Sequence, residues 1–194
     1  GMKTKIEELT SNLKQKKDAL HAMMLLVAQP AREDVPHGKD DHFNLEVEKW
    51  GTPPQFDFAP KSHLELGLDL GGIDIERGVK ISGSRSYILK KSFARLEQAA
   101  LRFTYDYLLE QGFCPMSVPV LVNEECMEGT GYFPVGRDQA YCIEKDGLAL
   151  VGTSEVSLCS MHKEEMLKEA DLPLKYMALS SCFRREAGTY GKDT

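Results

Sequence analysis

Two short apolar runs, residues 140–144 and 148–151, face each other across Lys145-Asp146-Gly147. An Asp-Gly step between strand-like runs is a strong signal for a tight hairpin, because Gly takes the required backbone angles without steric cost. The chain is therefore expected to reverse there and pair antiparallel. Helical signals alternate with strands around this hairpin. Residues 63–70 read as a short helix stopped by Gly71-Gly72. Ser92 is a plausible cap for a helix running to Gln111, with Leu96, Ala99, Ala100, Phe103 and Tyr107 on one face and Gly112 as its stop. Residues 116–122 and 175–183 read as strands, and Ser154 can cap a helix over 155–168. The expected class is α+β, an antiparallel sheet with flanking helices.

The N-terminus is different in kind. Ile6, Leu13, Leu20 and Val27 recur every seven residues, Leu9 and Met23 fall between, and Lys16 interrupts the seam. That is a coiled-coil-like helix over about residues 3–28, ~38 Å long, with a face too narrow to be stable alone in water. Pro30 ends it. Residues 30–55 are rich in Pro, Gly and acidic side chains and read as a linker. Within it Asn44-Leu45-Glu46-Val47-Glu48-Lys49-Trp50 alternates like a short strand. The expected division is 1–29 helix, 30–55 linker and 56–194 the main domain.

A net charge of −6 argues against a generally basic nucleic-acid binder, so any RNA contact must be local. The lysines at positions 3, 5, 14, 16 and 17 could supply one, or could simply be a solvated helix face. The five cysteines and five histidines show no metal-ligand spacing. No metal site is expected, and a reducing, cytoplasmic setting is favoured. No apolar run approaches ~18 residues, so no membrane-spanning helix is expected.

Three motifs carry the chemistry. Gly112 leads through Pro119 into an apolar strand, Gly152-Thr153-Ser154-Glu155 follows the hairpin, and Phe183-Arg184-Arg185-Glu186 opens the Gly-rich stretch at 187–192. On an extended backbone Arg184 and Glu186 would share one face, where they could hold a phosphate and a neighbouring amine, or merely form a surface ion pair. Gly83-Ser84-Arg85 and Gly129-Thr130-Gly131 lack the spacing of phosphate loops and read as turns, the second expected to border the substrate pocket.

The order Gly…Pro, Thr-x-Glu, Phe-Arg-x-Glu resembles the class II aminoacyl-tRNA synthetases. Val79-Lys80-Ile81-Ser82-Gly83-Ser84-Arg85, Glu128-Gly129-Thr130-Gly131-Tyr132-Phe133-Pro134, Gly152-Thr153-Ser154-Glu155 and Phe183-Arg184-Arg185-Glu186-Ala187-Gly188 resemble the seryl-specific branch. The resemblance implies a partial class II antiparallel sheet and an ATP- and Mg²⁺-dependent ligase that activates L-serine and charges tRNA(Ser). It implies Arg184 as the catalytic residue on the α-phosphate, with Arg185 and Glu186 also facing ATP. Thr153, Ser154 and Glu155 fall at the serine, and Pro119 at a homodimer interface. The N-terminal helix corresponds to part of a tRNA-binding arm. The family's third motif has no counterpart before Thr194, so a fragment inactive by itself is expected. Two other readings stay open: a synthetase-like ligase that loads a carrier protein, and a non-catalytic interaction module.

Overall fold

The computed structural model describes residues 1–186. The chain divides into two units, one of Gly1–Val27 with Glu97–Thr194 and one of Ala28–Leu96. The heptad pattern folds as helix α1, Met2–Met24, with two further turn bonds reaching Val27. Its seam residues Ile6, Leu9, Leu13, Leu20 and Met23 are exposed, and none of its residues is buried.

In the unit Ala28–Leu96, helix α2 (His63–Asp69) starts on a reciprocal cap. Ser62 Oγ accepts the Glu65 amide, and the Glu65 carboxylate accepts the Ser62 amide. Gly71, at φ +64°, stops it. Strand β1 (Ile73–Asp74) leads into helix α3 (Ile75–Ser82) and pairs antiparallel with β2 (Ile88–Leu89). Asp74 fixes this junction. Only 7% exposed, it caps α3 by accepting the Arg77 amide and binds Arg77 Nη1 at 2.8 Å and Lys90 Nζ at 3.0 Å. These donors, Lys90 foremost, lower its pKa to about 2. Gly83 and Arg85 both have positive φ, as a turn requires. The expected strand at 44–50 does not form: Val47 is 90% and Trp50 95% exposed. Its alternation describes a half-buried strand, and no described residue pairs with it.

The larger unit holds most of helix α4 (Ser92–Glu110), which ends at Gly112, φ +79°. The Phe113 and Gly112 amides close the last turn on Leu108 and Leu109. Ser92 is itself helical, not the residue before the helix. The strand expected over 116–122 is split into β3 (Cys114–Met116) and β4 (Leu121–Asn123), with Pro119, which has no N–H to give a ladder, between them. Helix α5 (Glu124–Gly129) follows β4. Strands β5 (Tyr141–Ile143) and β6 (Leu148–Leu150) form the expected antiparallel hairpin, with Gly147 at φ +65°. Strand β4 pairs antiparallel on the other side of β6.

Helix α6 is only Glu155–Ser160, not the expected 155–168. Glu164 is left-handed, and His162 bridges Glu165 (2.7 Å) and Tyr176 (3.0 Å), turning the chain away from a helical path. The run at 175–183 keeps a ladder only over β7 (Tyr176–Ala178), which pairs parallel with β3. Val122, Met127, Phe133, Ala140, Ala149, Val151 and Val156 make one continuous core beneath the hairpin.

Candidate active site

The backbone lays the two C-terminal motifs side by side. The Phe183 amide donates to the Val151 carbonyl at 2.9 Å, extending the sheet one residue past β6. Arg184 Nε then donates to the Gly152 carbonyl at 3.3 Å. Farther on, the Arg185 amide donates to the Gln139 carbonyl at 2.8 Å. Arg184 and Glu186 consequently line the same cavity of about 340 Å³, together with Tyr132, Gln139, Gly152 and Phe183. Their shared placement was expected from alternation on a strand, but the cause differs. Residues 184–186 are outside the ladder, and Glu186 has φ +47°.

Arg184 is exposed, so an anion can reach it. Arg185 does not line the cavity; its guanidinium carbon lies 5.8 Å from the Tyr141 ring centre. Next in sequence to the cavity-lining Gly136, Arg137 binds Glu124 with two bonds of 2.7 and 2.8 Å and covers the Phe133 ring. That fork holds the Glu124 carboxyl below its ordinary pKa.

Thr153, Ser154 and Glu155 come directly after the cavity wall at Gly152 but do not line the cavity. The capping role expected of Ser154 belongs to Thr153, whose Oγ1 accepts the Glu155 amide at 3.2 Å. Ser154 is already helical in φ and ψ and donates instead to the Ala178 carbonyl of β7 at 3.3 Å. Glu155 is exposed in the first turn of α6. Pro119 is exposed, and its carbonyl accepts Ser157 Oγ at 2.6 Å.

Sequence reasoning missed Tyr132 and Gln139. A local signal existed for the first, since Gly131 turns the chain at φ +77° and delivers Tyr132 to the cavity. Nothing local marked Gln139. The Gly-rich stretch at 187–192 lies outside the described residues.

The model of the tRNA synthetase class II core domain (G, H, P, S and T) matches residues 141–192, which include the hairpin, Thr-x-Glu and Arg-x-Glu. A serine–tRNA ligase of Thermosipho africanus is 50% identical over 162 residues, 83% of this chain and 38% of that protein. Another, of Corynebacterium kroppenstedtii, is 44% identical across 100% of this chain and 47% of its own length. Over most of its own length this chain is similar to the seryl-tRNA synthetases. Among solved seryl-tRNA synthetases, that of Pyrococcus horikoshii complexed with ATP superposes with a TM-score of 0.88 at 34% identity, over 97% of this chain and 47% of that one. The serine–tRNA ligase of Naegleria fowleri in complex with AMP gives 0.84 at 28% identity, over 97% and 45%. The chain thus spans less than half of these seryl-tRNA synthetases. Within that span it has a mixed fold like theirs, with two antiparallel sheets, the parallel pair β3–β7 that the expected all-antiparallel sheet did not include, flanking helices and an N-terminal helix.

Proposed function

We propose that this chain is part of a serine–tRNA ligase and supplies one wall of its ATP and serine site. The observation that carries the reading is the joining of Arg184 and Glu186 on one cavity walled by Gly152, the residue before Thr153-Ser154-Glu155. In the first half-reaction a serine carboxylate oxygen attacks the α-phosphorus of ATP, the bond to the departing pyrophosphate breaks, and seryl-adenylate forms. The reactants are both anionic, so alignment and positive charge matter more than a protein nucleophile. Arg184 binds the α-phosphate through its planar donor fork, whose charge is most useful as negative charge moves onto the oxygens around phosphorus. Glu186 accepts from the adenine amino group, and Arg185 adds positive charge on the ATP side.

Glu155 takes the α-ammonium of serine, with Thr153 beside it. Ser154 serves through its bond to β7, which keeps this turn next to the strand leading to Arg184. Among the described residues the cavity presents a single carboxylate, Glu186, whereas Mg²⁺ takes six oxygens, usually from waters, one or two carboxylates and substrate phosphates together. The described residues therefore do not fit a resident metal, and Mg²⁺ enters with the phosphates of ATP.

The second half-reaction moves the seryl group to tRNA(Ser), which α1 helps to hold as part of an arm. The exposed apolar face of α4, next to the Pro119 segment in sequence, supports a homodimer. The protein works in the cytoplasm. Serine-dependent exchange of pyrophosphate into ATP by the full-length gene product tests the reading. Glu155→Ala should raise the concentration of serine and of alanine needed for binding by a similar factor, since it removes a partner of the shared ammonium. Exchange supported by another amino acid and not by serine would overturn the assignment.

A further inference from the structure

Two glycines are fitted around Tyr132. A Cβ on Gly152 would lie 3.1 Å from the ring carbon Cε1 and 3.2 Å from the hydroxyl oxygen. A Cβ on Gly136 would lie 2.8 Å from the Tyr132 carbonyl oxygen, which accepts the Gly136 amide at 2.7 Å. The ring is therefore packed against Gly152, while the bond from Gly136 fixes the Tyr132 backbone. The same Gly152 whose missing side chain admits the ring offers its carbonyl to Arg184 Nε. On the same edge of the guanidinium, Nη2 is 3.5 Å from the Tyr132 hydroxyl.

We propose that Tyr132 is a positioning residue for Arg184: its hydroxyl accepts from Nη2 and, with the Gly152 carbonyl, sets the plane of the guanidinium. Of the five N–H donors of an arginine, these two bonds use one Nε and one Nη2 hydrogen, leaving the others for an anion. A phenylalanine would fill the same wall, so the hydroxyl is the atom that distinguishes positioning from packing. The proposal rests on Arg184 meeting the α-phosphate as described above.

Tyr132→Phe in the full-length protein keeps the ring and removes the hydroxyl. Loss of one long hydrogen bond, with the strength of an ordinary intramolecular one, should lower kcat/KM for ATP and weaken ATP binding by calorimetry about fivefold. The KM for serine and the melting temperature should stay as in the wild type. Added to Arg184→Ala, Tyr132→Phe should change ATP binding no further. The proposal is overturned if Tyr132→Phe matches the wild type in ATP binding, if it shifts the serine KM, or if its fivefold loss persists on the Arg184→Ala background. A wild-type protein without serine-dependent exchange would sink the ligase reading, while the ATP-binding cycle would still decide whether Tyr132 acts through Arg184.

Discussion

The three-stranded sheet β4–β6–β5 and the helix α4 began as the same kind of sequence signal, and the structure uses them in opposite ways. In the sheet one face points inward: Ala149 and Val151 are fully buried beside Met127 and Val156, while Leu121, Tyr141 and Ile143 on the other face stay exposed. In α4 the face marked by Leu96, Ala99, Ala100, Phe103 and Tyr107 points outward, with Phe103 71% exposed. The side of α4 that meets β7 is a different one, formed by Leu101, Thr104, Tyr105 and Leu108 against Met177, Ala178 and Leu179. Helix α1 repeats the α4 case along its whole length. Periodicity announces that a face will be covered; it does not say whether the cover comes from the same polypeptide.

The sharpest way to break that contrast is to truncate one residue from each region. Met127→Ala, in the sealed core, should cost about 2–5 kcal/mol in denaturant unfolding. Phe103→Ala should leave unfolding of the protomer within about 0.5 kcal/mol of the wild type, as at other exposed sites. If the two losses prove equal, the face of α4 is covered within the protomer and the contrast fails.

Association sharpens it next. On the dimer reading, Phe103→Asp in the full-length protein should move the mass measured by light scattering at tens of micromolar from dimer to monomer. A wild-type protein that is already monomeric there would count against the reading.

The smallest effect falls in the unit Ala28–Leu96, where a carboxylate rather than apolar packing fixes the fold. The folded-state pKa of Asp74 is lowered from 3.8 to about 2, so its contribution is complete above about pH 4 and is lost as pH falls toward 2. Asp74→Asn should melt at a lower temperature than the wild type at pH 7, and the two curves should converge on acidification. A gap that persists at pH 2 would contradict this origin.

What was legible in the sequence was local. Asp146-Gly147 specified its hairpin, Gly112 its helix stop, and the heptad spacing its long helix, because each rests on backbone angles or spacing within a few residues. Misreadings came where a distant partner decides. The 116–122 strand is divided at Pro119, whose carbonyl is taken by Ser157. The cap of α6 comes from Thr153 because Ser154 is drawn to Ala178, 24 positions away. The 44–50 run alternates correctly yet finds no ladder among the described residues. At the site, Arg184 and Glu186 were visible as a motif, whereas Tyr132 is joined to Arg184 across 52 positions and no spacing rule connects them.

The most direct measurement is serine-dependent pyrophosphate exchange by the full-length protein carrying Arg184→Ala. If Arg184 meets the α-phosphate, the rate should fall about a hundredfold or more, as for other preorganised charge donors. Arg184→Lys should recover only part, since a point charge replaces a planar fork. Exchange by Arg184→Ala within about threefold of the wild type would contradict the assignment of this cavity as the site of serine activation.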